Sequence, residues 1–212
     1  MTTDLYLIRH GESVANVEPI VAGRHADVGL TERGHRQAAL LGQRLTEHPI
    51  PADALYVSTL PRAQQTAAYV ASALGLEPLV EDALRELDPG EADGLTNAEW
   101  AKRWPRPRDD SLSGNPFMDF APGGESWAAF LARSGAALQA VVDRHPDQTV
   151  AVVTHGGVIE SSVALGFGLG ATFHRVGFAL LNTGVTHWRY RPEDERQPWV
   201  LVSLNDAHHL QE

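Results

Sequence analysis

The run Thr149-Val-Ala-Val-Val-Thr154 constrains the fold more than any other segment of the chain. An uninterrupted apolar run of this length is typical of a strand buried on both faces, as strands in the middle of a parallel sheet are. His155-Gly-Gly157 follows at once, and a helical pattern comes next. A buried strand that feeds directly into a helix predicts an α/β fold.

The same order of strand, loop and helix recurs earlier in the chain. Strands are predicted from Asp4 to Ile8, from Ala54 to Ser58 and from Glu77 to Val80. Helices are predicted from Thr31 to Glu47, with Thr31 as the cap, and from Pro61 to about Leu74.

The second half of the chain adds a long helix from about Ser126 to Arg144 and late strands at about 177–181, 184–190 and 199–204. The whole pattern predicts a three-layer α/β/α sandwich with a mostly parallel central sheet. We expect a single domain over residues 1–212, because a chain of this length can bury one sizeable core.

The segment from Asp88 to Gly124 interrupts this alternation, since prolines and charged residues are interleaved with Trp100 and Trp104. It predicts a short helix inside an irregular excursion, which we interpret as a lid over the site (88–124). The two tryptophans either form a wall facing the substrate or the buried face of the lid helix.

Composition excludes several classes of function. The chain has no cysteine, so it has neither a disulfide framework, nor a thiolate metal site, nor a cysteine nucleophile. Its formal net charge of -10 opposes general binding to nucleic acid or to anionic membranes. No apolar run approaches the roughly 20 residues of a membrane-spanning helix.

We expect a cytoplasmic protein, because the N-terminus has no signal-peptide pattern. The sequence leaves open whether the protein forms a homodimer.

Four cationic or titratable side chains follow the ends of predicted strands. Arg9 and His10 follow the first strand, Arg62 the second and His155 the apolar strand at 149–154. Taken singly, each histidine could be a structural residue and Arg62 a solvated charge at a helix start. The carboxyl ends of parallel strands meet at one edge of a sheet, so together these residues predict a small cationic pocket. Two guanidinium groups and an imidazole suit the binding and transfer of a phosphoryl group.

Six ordered segments spread over nearly the whole chain resemble the histidine phosphatase superfamily, which includes the cofactor-dependent phosphoglycerate mutases. These segments are Leu7-Ile-Arg-His-Gly-Glu-Ser13 with Asn16, Leu30-Thr31 with Gly34, Ser58-Thr-Leu-Pro-Arg-Ala-Gln-Gln-Thr-Ala67, Leu84-Arg-Glu86 with Gly90 and Gly94, Gly124-Glu-Ser126, and Val153-Thr-His-Gly-Gly157.

The resemblance implies a role for each matching residue. His10 is the expected nucleophile, Arg9, Arg62 and His155 the expected phosphate pocket, and Glu86 the expected proton donor. The predicted substrate-binding residues are Asn16, Gly23, Arg24, Glu125 and Gly156.

Two of these roles have alternatives. Glu81, Glu91 and Asp93 are rival proton donors, and the spacing to Gly90 favours Glu86. Arg24, together with His25, either touches an anionic part of the substrate or is an ordinary solvated loop residue.

The expected chemistry needs a neutral His10 with one nitrogen fixed by a donated hydrogen bond and the other free to attack phosphorus. We expect a protonated His155 to help the two arginines balance the phosphoryl charge.

We predict no metal and no cofactor. His208-His209 could bind a metal only with a third ligand, and a solvated tail is the ordinary interpretation.

We predict a phosphatase that hydrolyses a small-molecule phosphate ester through a phosphohistidine on His10. The alternative is a cofactor-dependent phosphoglycerate mutase. The mutases resembled here carry a tyrosine between the donor glutamate and the next glycine, and an Arg-Arg-Ser-Tyr block in the lid. This chain has Pro89 at the first place and only scattered arginines in the lid, at 103, 106 and 108. A binding protein without turnover is a third hypothesis, which the complete set of expected catalytic residues does not favour.

Overall fold

The computed structural model of the chain describes residues 1–105, 115–171 and 177–211, over which strands and helices alternate. The strands are β1 (Thr3–Arg9), β2 (Ala54–Val57), β3 (Pro78–Val80), β4 (Thr149–Thr154), β5 (Val185–Tyr190) and β6 (Trp199–Asp206). The helices are α1 (Val14–Val17), α2 (Glu32–Glu47), α3 (Pro61–Leu74), α4 (Asn97–Arg103), α5 (Trp127–Arg144) and α6 (Gly156–Gly166), and short 3-10 turns span Asp82–Leu84, Gly90–Ala92 and His208–Leu210.

The strands form one sheet in the order β3-β2-β4-β1-β5-β6. The first four strands of this order are parallel to one another, whereas β5 pairs antiparallel with β1, and β6 pairs antiparallel with β5 at the edge of the sheet. The predicted mostly parallel sheet is therefore confirmed, with β4 and β1 at its centre.

Strand β4 is apolar throughout its centre because both of its faces are covered. Val150 and Val152 pack into one cluster with residues of α5 and α6. Ala151 and Val153 pack into a second cluster with residues of α2 and α3. Helices thus cover both faces of the sheet, which confirms the predicted three-layer α/β/α architecture.

Two glycines allow the loop after β1 to lie directly on the start of α2. A Cβ on Gly11 would come within 2.6 Å of the carbonyl oxygen of Gly34. A Cβ on Gly34 would come within 2.0 Å of the carbonyl oxygen of Glu12. No side chain fits in either place, so the backbone at the end of β1 is packed against α2 without any intervening atoms.

The segment 177–181 is not a strand, so that prediction was wrong. Its backbone groups bind side chains rather than a neighbouring strand: the Leu181 N–H donates to Asn205 Oδ1 at 2.8 Å, and the Ala179 carbonyl accepts from Asn205 Nδ2 at 3.0 Å. The Leu180 carbonyl accepts from Arg9 at 2.5 Å. An apolar run alone does not reveal these partners.

The excursion at 88–124 contains the predicted short helix, α4. The Trp100 indole lies within the excursion, where it stacks on Phe120 with 4.6 Å between ring centroids and donates to the Phe120 carbonyl. The Arg103 guanidinium lies 4.9 Å from the ring centroid of Trp104. Arg106 and Arg108 lie outside the described residues.

In the described part of the chain, no helix is both long and apolar enough to cross a membrane.

Candidate active site

The carboxyl ends of three adjacent parallel strands place four of the predicted residues in one pocket. Arg9 ends β1 and pairs with Thr154, the last residue of β4. His10 and His155 follow directly, with 5.2 Å between their ring centroids. Arg62 lies in the first turn of α3, and its charge acts on both imidazoles. The structure therefore brings the predicted cationic pocket together.

His10 is buried, and its ring orientation is fixed by a hydrogen bond to the next residue. Its Nδ1 lies 2.7 Å from the Gly11 carbonyl oxygen. A carbonyl can only accept, so Nδ1 carries the proton and Nε2 keeps its lone pair. Burial lowers the pKa of His10 well below its usual range, and the charges of Arg62 and Arg9 lower it further, although the Gly11 bond opposes them. His10 is thus a neutral imidazole with Nε2 available as a nucleophile.

The backbone around His10 is held by the turn that precedes β5. The His10 N–H donates to the Thr154 carbonyl at 2.9 Å. The His10 carbonyl accepts from Asn182 Nδ2 at 3.0 Å, and the Arg9 carbonyl accepts from the Thr183 N–H at 3.0 Å. The contacts with Asn182 and Thr183 join segments more than 170 positions apart in the chain.

Arg62 is fixed by an ion pair that the sequence did not predict. Its guanidinium lies 2.9 Å from Asp27 Oδ2, and both side chains are buried. The other Asp27 oxygen accepts from the Gly29 N–H at 2.9 Å. Truncating either partner of such a pair is strongly destabilising, because the other charge is left buried alone. Asp27 thus holds Arg62 in place at the pocket.

Arg9 is anchored from the side of the chain that leads into β5. One of its terminal nitrogens donates to the Leu180 carbonyl at 2.5 Å. Burial lowers the pKa of Arg9, whereas the charges of Glu86 and Glu160 oppose that shift. Among the described residues its Nε has no hydrogen-bond partner although it is buried. Arg9 therefore retains a donor that can bind an anion.

His155 is neutral in the pocket, so the predicted protonated form is wrong for the free protein. Burial lowers the pKa of His155 well below its usual range, and the charge of Arg62 and the neighbouring His10 add to the effect. His155 Nε2 lies 2.7 Å from Ser58 Oγ, which itself accepts from the Leu60 N–H. If Ser58 donates its one hydrogen to Nε2, then Nδ1 carries the proton of His155.

His155 Nδ1 is buried and has no hydrogen-bond partner in the described part of the chain. A buried, unpaired N–H is costly unless something accepts from it. In the tautomer in which Nδ1 carries the proton, this donor lies in the same pocket as the buried Arg9 Nε, and two unpaired donors are then available for the oxygens of one anion.

The side chain of Glu86 contacts the first turn of α6, beside the pocket. One carboxylate oxygen accepts from the Gly157 N–H at 3.0 Å and the other from the Leu87 N–H at 3.0 Å. A Cβ on Gly157 would lie 2.1 Å from the carboxylate, so this glycine is required for the approach. The charge of Glu86 also acts on Arg9. The structure brings Glu86 to the pocket edge where a leaving group could be protonated.

The rival carboxylates have other partners. Asp93 accepts from the backbone N–H groups of Gly23 and His25, each at 2.8 Å. Glu81 caps its own 3-10 turn, and Glu91 lies 3.7 Å from Arg103.

A small cleft opens beside Glu86. Its lining residues are Gly23, Arg24, Leu60, Arg85, Glu86, Leu87, Asp88 and Pro89. The Arg24 guanidinium donates to both oxygens of Asp82, at 2.8 and 2.7 Å. The structure therefore places Gly23 and Arg24 at the cleft, and Arg24 already has a carboxylate partner there.

Glu125, another predicted substrate-binding residue, is paired with an arginine. Both Glu125 oxygens bind Arg133 at 2.6 Å, and one also accepts from the Asp88 N–H at 2.9 Å, so this carboxylate supports the 85–88 loop from behind. Arg133 accordingly helps to lower the pKa of Glu125, against the effect of burial.

Asn16 is exposed, and its side-chain oxygen accepts from Ser13 and from Asn182. It is therefore linked to the turn that holds His10. Gly156 begins α6, and a Cβ there would lie 3.5 Å from Arg9 Nε, so its backbone lies against the pocket.

Comparison with known proteins agrees with this geometry. The family model of the histidine phosphatase superfamily (branch 1) matches residues 5–207. The chain belongs to the histidine phosphatase superfamily.

Individual relatives in the superfamily carry both phosphatase and mutase names. A metal-independent phosphoserine phosphatase of Arabidopsis thaliana is 31% identical over 209 residues, covering 98% of this chain and 83% of the relative. A 2,3-bisphosphoglycerate-dependent phosphoglycerate mutase of Brucella ovis is 33% identical over 190 residues, covering 87% of this chain and 90% of the relative. The structure of a phosphoserine phosphatase from Entamoeba histolytica in complex with 3-phosphoglyceric acid matches with a TM-score of 0.78 and 28% identity, covering 99% of this chain and 100% of that chain.

The two buried histidines of this superfamily member predict a pH-dependent stability. In the unfolded chain a histidine takes up a proton as the pH falls through about 6.5. Because the folded-state pKa of both residues lies well below this, folding opposes that protonation. With respect to these two groups, the free energy of unfolding is therefore highest above about pH 6.5 and decreases as the pH falls from there towards the folded-state pKa. Each histidine adds about 1.4 kcal/mol per pH unit to the slope in that window.

Urea unfolding at pH 7.0, 6.0 and 5.5 measures this slope. His155→Asn should reduce the slope by up to about 1.4 kcal/mol per pH unit. Equal slopes for wild type and His155→Asn would show that His155 is not held neutral by the fold.

Proposed function

We propose that the protein is a phosphatase that hydrolyses a small phosphate monoester through a phosphohistidine on His10. The observation that carries the proposal is the buried neutral imidazole of His10, whose Nδ1 donates to Gly11 while Nε2 keeps its lone pair near the charges of Arg9 and Arg62. A neutral imidazole nucleophile beside two fixed cations has what phosphoryl transfer requires.

The first step binds and attacks the phosphoryl group. Its non-bridging oxygens accept from Arg9, Arg62 and the unpaired Nδ1–H of His155, and the backbone at Gly156 adds the N-terminal end of α6. His10 Nε2 attacks phosphorus in line, forming the N–P bond as the bond from phosphorus to the ester oxygen breaks. Glu86 donates its proton to the departing oxygen, so the product leaves as an alcohol.

The second step returns the enzyme to its starting state. Glu86, now a carboxylate, takes a proton from water while the water oxygen attacks phosphorus and the N–P bond breaks. Inorganic phosphate leaves, and His10 is again a neutral imidazole. The Gly11 carbonyl accepts from Nδ1–H throughout, which stabilises the positive charge on the phosphorylated ring.

The cleft beside Glu86 is the proposed place of the alcohol part of the substrate. Gly23 and Arg24 line it, and Arg24 offers a guanidinium to an anionic group there. Relatives are named for phosphoserine, and one has been solved with 3-phosphoglyceric acid; both compounds carry a carboxylate. For Glu125 and Asn16 the contacts support a role in holding the loops around the cleft.

Sequence identity does not separate phosphatase from mutase, because relatives of both names match at similar levels. The wall of the cleft favours the phosphatase. Pro89 stands where the mutases resembled here carry a tyrosine, and its ring would lie 2.7 Å from a Cβ on Gly23. A proline ring has no hydroxyl with which to hold a substrate carboxylate.

Four further features stay predictions. We propose that 88–124 acts as a lid, since its first residues, Asp88 and Pro89, line the cleft. The others are the single domain over 1–212, the cytoplasmic location and the homodimer. Size-exclusion chromatography with light scattering would decide the oligomeric state.

The nucleophile is tested with a phosphate ester labelled in its phosphoryl group and acid or alkaline quench. In the presence of chelator, the wild-type protein should form an acid-labile, base-stable phosphoenzyme on His10 and turn over at an unchanged rate. His10→Ala should form none and lose more than about 10³-fold in turnover. His48→Ala, far along the chain at an exposed position, is the control and should behave as wild type. A phosphoenzyme that persists in His10→Ala, or a strict requirement for an added divalent ion, would contradict the proposal.

Glu86→Gln tests the acid–base assignment. The variant keeps the size of the side chain but cannot donate or take the proton, so turnover should fall by about 10² to 10⁴. In single-turnover formation of the phosphoenzyme the loss should be smaller for a nitrophenyl ester, because nitrophenolate leaves without protonation. Glu81→Gln, which changes a rival carboxylate, should keep near-wild-type turnover. Equal losses for good and poor leaving groups would exclude Glu86 as the acid, and interconversion of 2- and 3-phosphoglycerate with negligible phosphate release would exclude the phosphatase.

A further inference from the structure

The turn at 181–184 holds the backbone of the nucleophile. The Thr183 N–H donates to the Arg9 carbonyl at 3.0 Å and lies 3.3 Å from the His10 carbonyl. Gly184 accepts from the Arg9 N–H at 3.1 Å. The position of the His10 ring therefore depends on the conformation of this turn.

Thr183 adopts an unfavourable backbone conformation. Its φ is +60°, in the left-handed region that β-branched residues rarely enter. A residue stays in such a conformation only when its surroundings fix it. Thr183 is completely buried, and its side-chain hydroxyl has two partners that supply such a constraint.

One of these partners is His209, in the turn at His208–Leu210 near the end of the chain. Thr183 Oγ1 lies 2.6 Å from the Asn182 carbonyl, which can only accept, so the one hydroxyl hydrogen is used there. His209 Nε2 lies 2.8 Å from the same oxygen and must therefore donate to it. The lone pair of His209 is then on Nδ1, which lies 3.4 Å from a nitrogen of Arg44, a donor.

The surroundings of His209 favour this uncharged form. Burial lowers the pKa of His209 to about 4, and the charge of Arg44 adds to the effect while Asp206 opposes it. Arg44, on α2, is itself fixed by Asp206 at 2.5 Å. The charged groups that face His209 are thus one cation and one anion that pair with each other.

We propose that His209 is a positioning residue for the nucleophile. Its Nε2–H holds the hydroxyl of Thr183, and Thr183 in turn holds the carbonyls of Arg9 and His10, so that Nε2 of His10 faces the bound phosphoryl group in line. The family match ends at residue 207, so this contact is made by a part of the chain outside the matched segment. The inference rests on the proposed function, because it takes His10 as the nucleophile.

Burst kinetics with a nitrophenyl phosphate ester test the proposal, since the burst rate reports formation of the phosphoenzyme. His209→Ala should slow the burst by between tenfold and about 10²-fold, the loss expected when a reacting atom is misplaced by about 1 Å. The affinity for orthovanadate should change much less, because Arg9, Arg62 and His155 remain. His209→Gln, whose amide can donate to Thr183 and accept from Arg44, should restore the burst rate to near the wild-type value.

His208→Ala is the matched control, because the His208 side chain is exposed in the same turn. It should leave the burst rate unchanged. Thr183→Val removes the same hydroxyl with a side chain of the same shape, so it should slow the burst as His209→Ala does, and the double variant should be no slower than either single one. If His209→Ala does not fold, Thr183→Val carries the test with the same limits.

Two kinds of failure are distinguishable. A folded His209→Ala or Thr183→Val protein with a wild-type burst rate, or His209→Gln as slow as His209→Ala, would overturn the positioning role while leaving the proposed function intact. A wild-type protein that forms no phosphohistidine on His10 would instead overturn the proposed function.

Discussion

The site depends on the burial of two guanidinium groups and two imidazoles in one small pocket. Burying a charge is costly unless it is paired, and each arginine has its own partner: Arg62 has the carboxylate of Asp27, and Arg9 has the carbonyl of Leu180 and the nearby charge of Glu86. For the imidazoles, burial and the nearby guanidinium charges outweigh the one compensating hydrogen bond that the active-site residues described above provide, from His10 to the Gly11 carbonyl. Both imidazoles therefore stay neutral, and the arrangement that attracts a phosphoryl group also keeps the nucleophile in its reactive form.

The parallel sheet makes this concentration of groups attainable. Strands β2, β4 and β1 are neighbours and all end at the same edge, so three separate segments each contribute to one pocket. Glycines at 11 and 34 let the loop that follows β1 lie directly against α2. The antiparallel β5 adds the turn at 181–184, which fixes the backbone that carries the nucleophile. The polar residues of the site are thus held at the edge of a sheet whose two faces are covered by apolar packing against helices.

The sequence predicted the site residues that depend on local patterns, and it missed those that depend on contacts between distant segments. Strand ends, helix starts and the residues beside them are local patterns, so the placement of Arg9, His10, Arg62 and His155 followed from the sequence. Asp27, Thr183 and His209 act through contacts with residues far away in the chain, and no periodicity or motif marks them. The charge of His155 was mispredicted for the same reason, because burial by distant segments sets its pKa. Glu125 was predicted to bind substrate, and the sequence did not reveal its ion pair with Arg133 on α5, the helix that follows it.

The central claim is that His10 is a neutral imidazole protonated at Nδ1 and free at Nε2. Nitrogen chemical shifts of ¹⁵N-histidine-labelled protein measure both the charge and the tautomer directly, with His10→Gln used to assign the signals. The account predicts a protonated Nδ1 and an unprotonated Nε2 for His10 at pH 7.0, and the same state at pH 5.5. A cationic His10 at pH 7.0, or a proton on Nε2 in place of Nδ1, would contradict it.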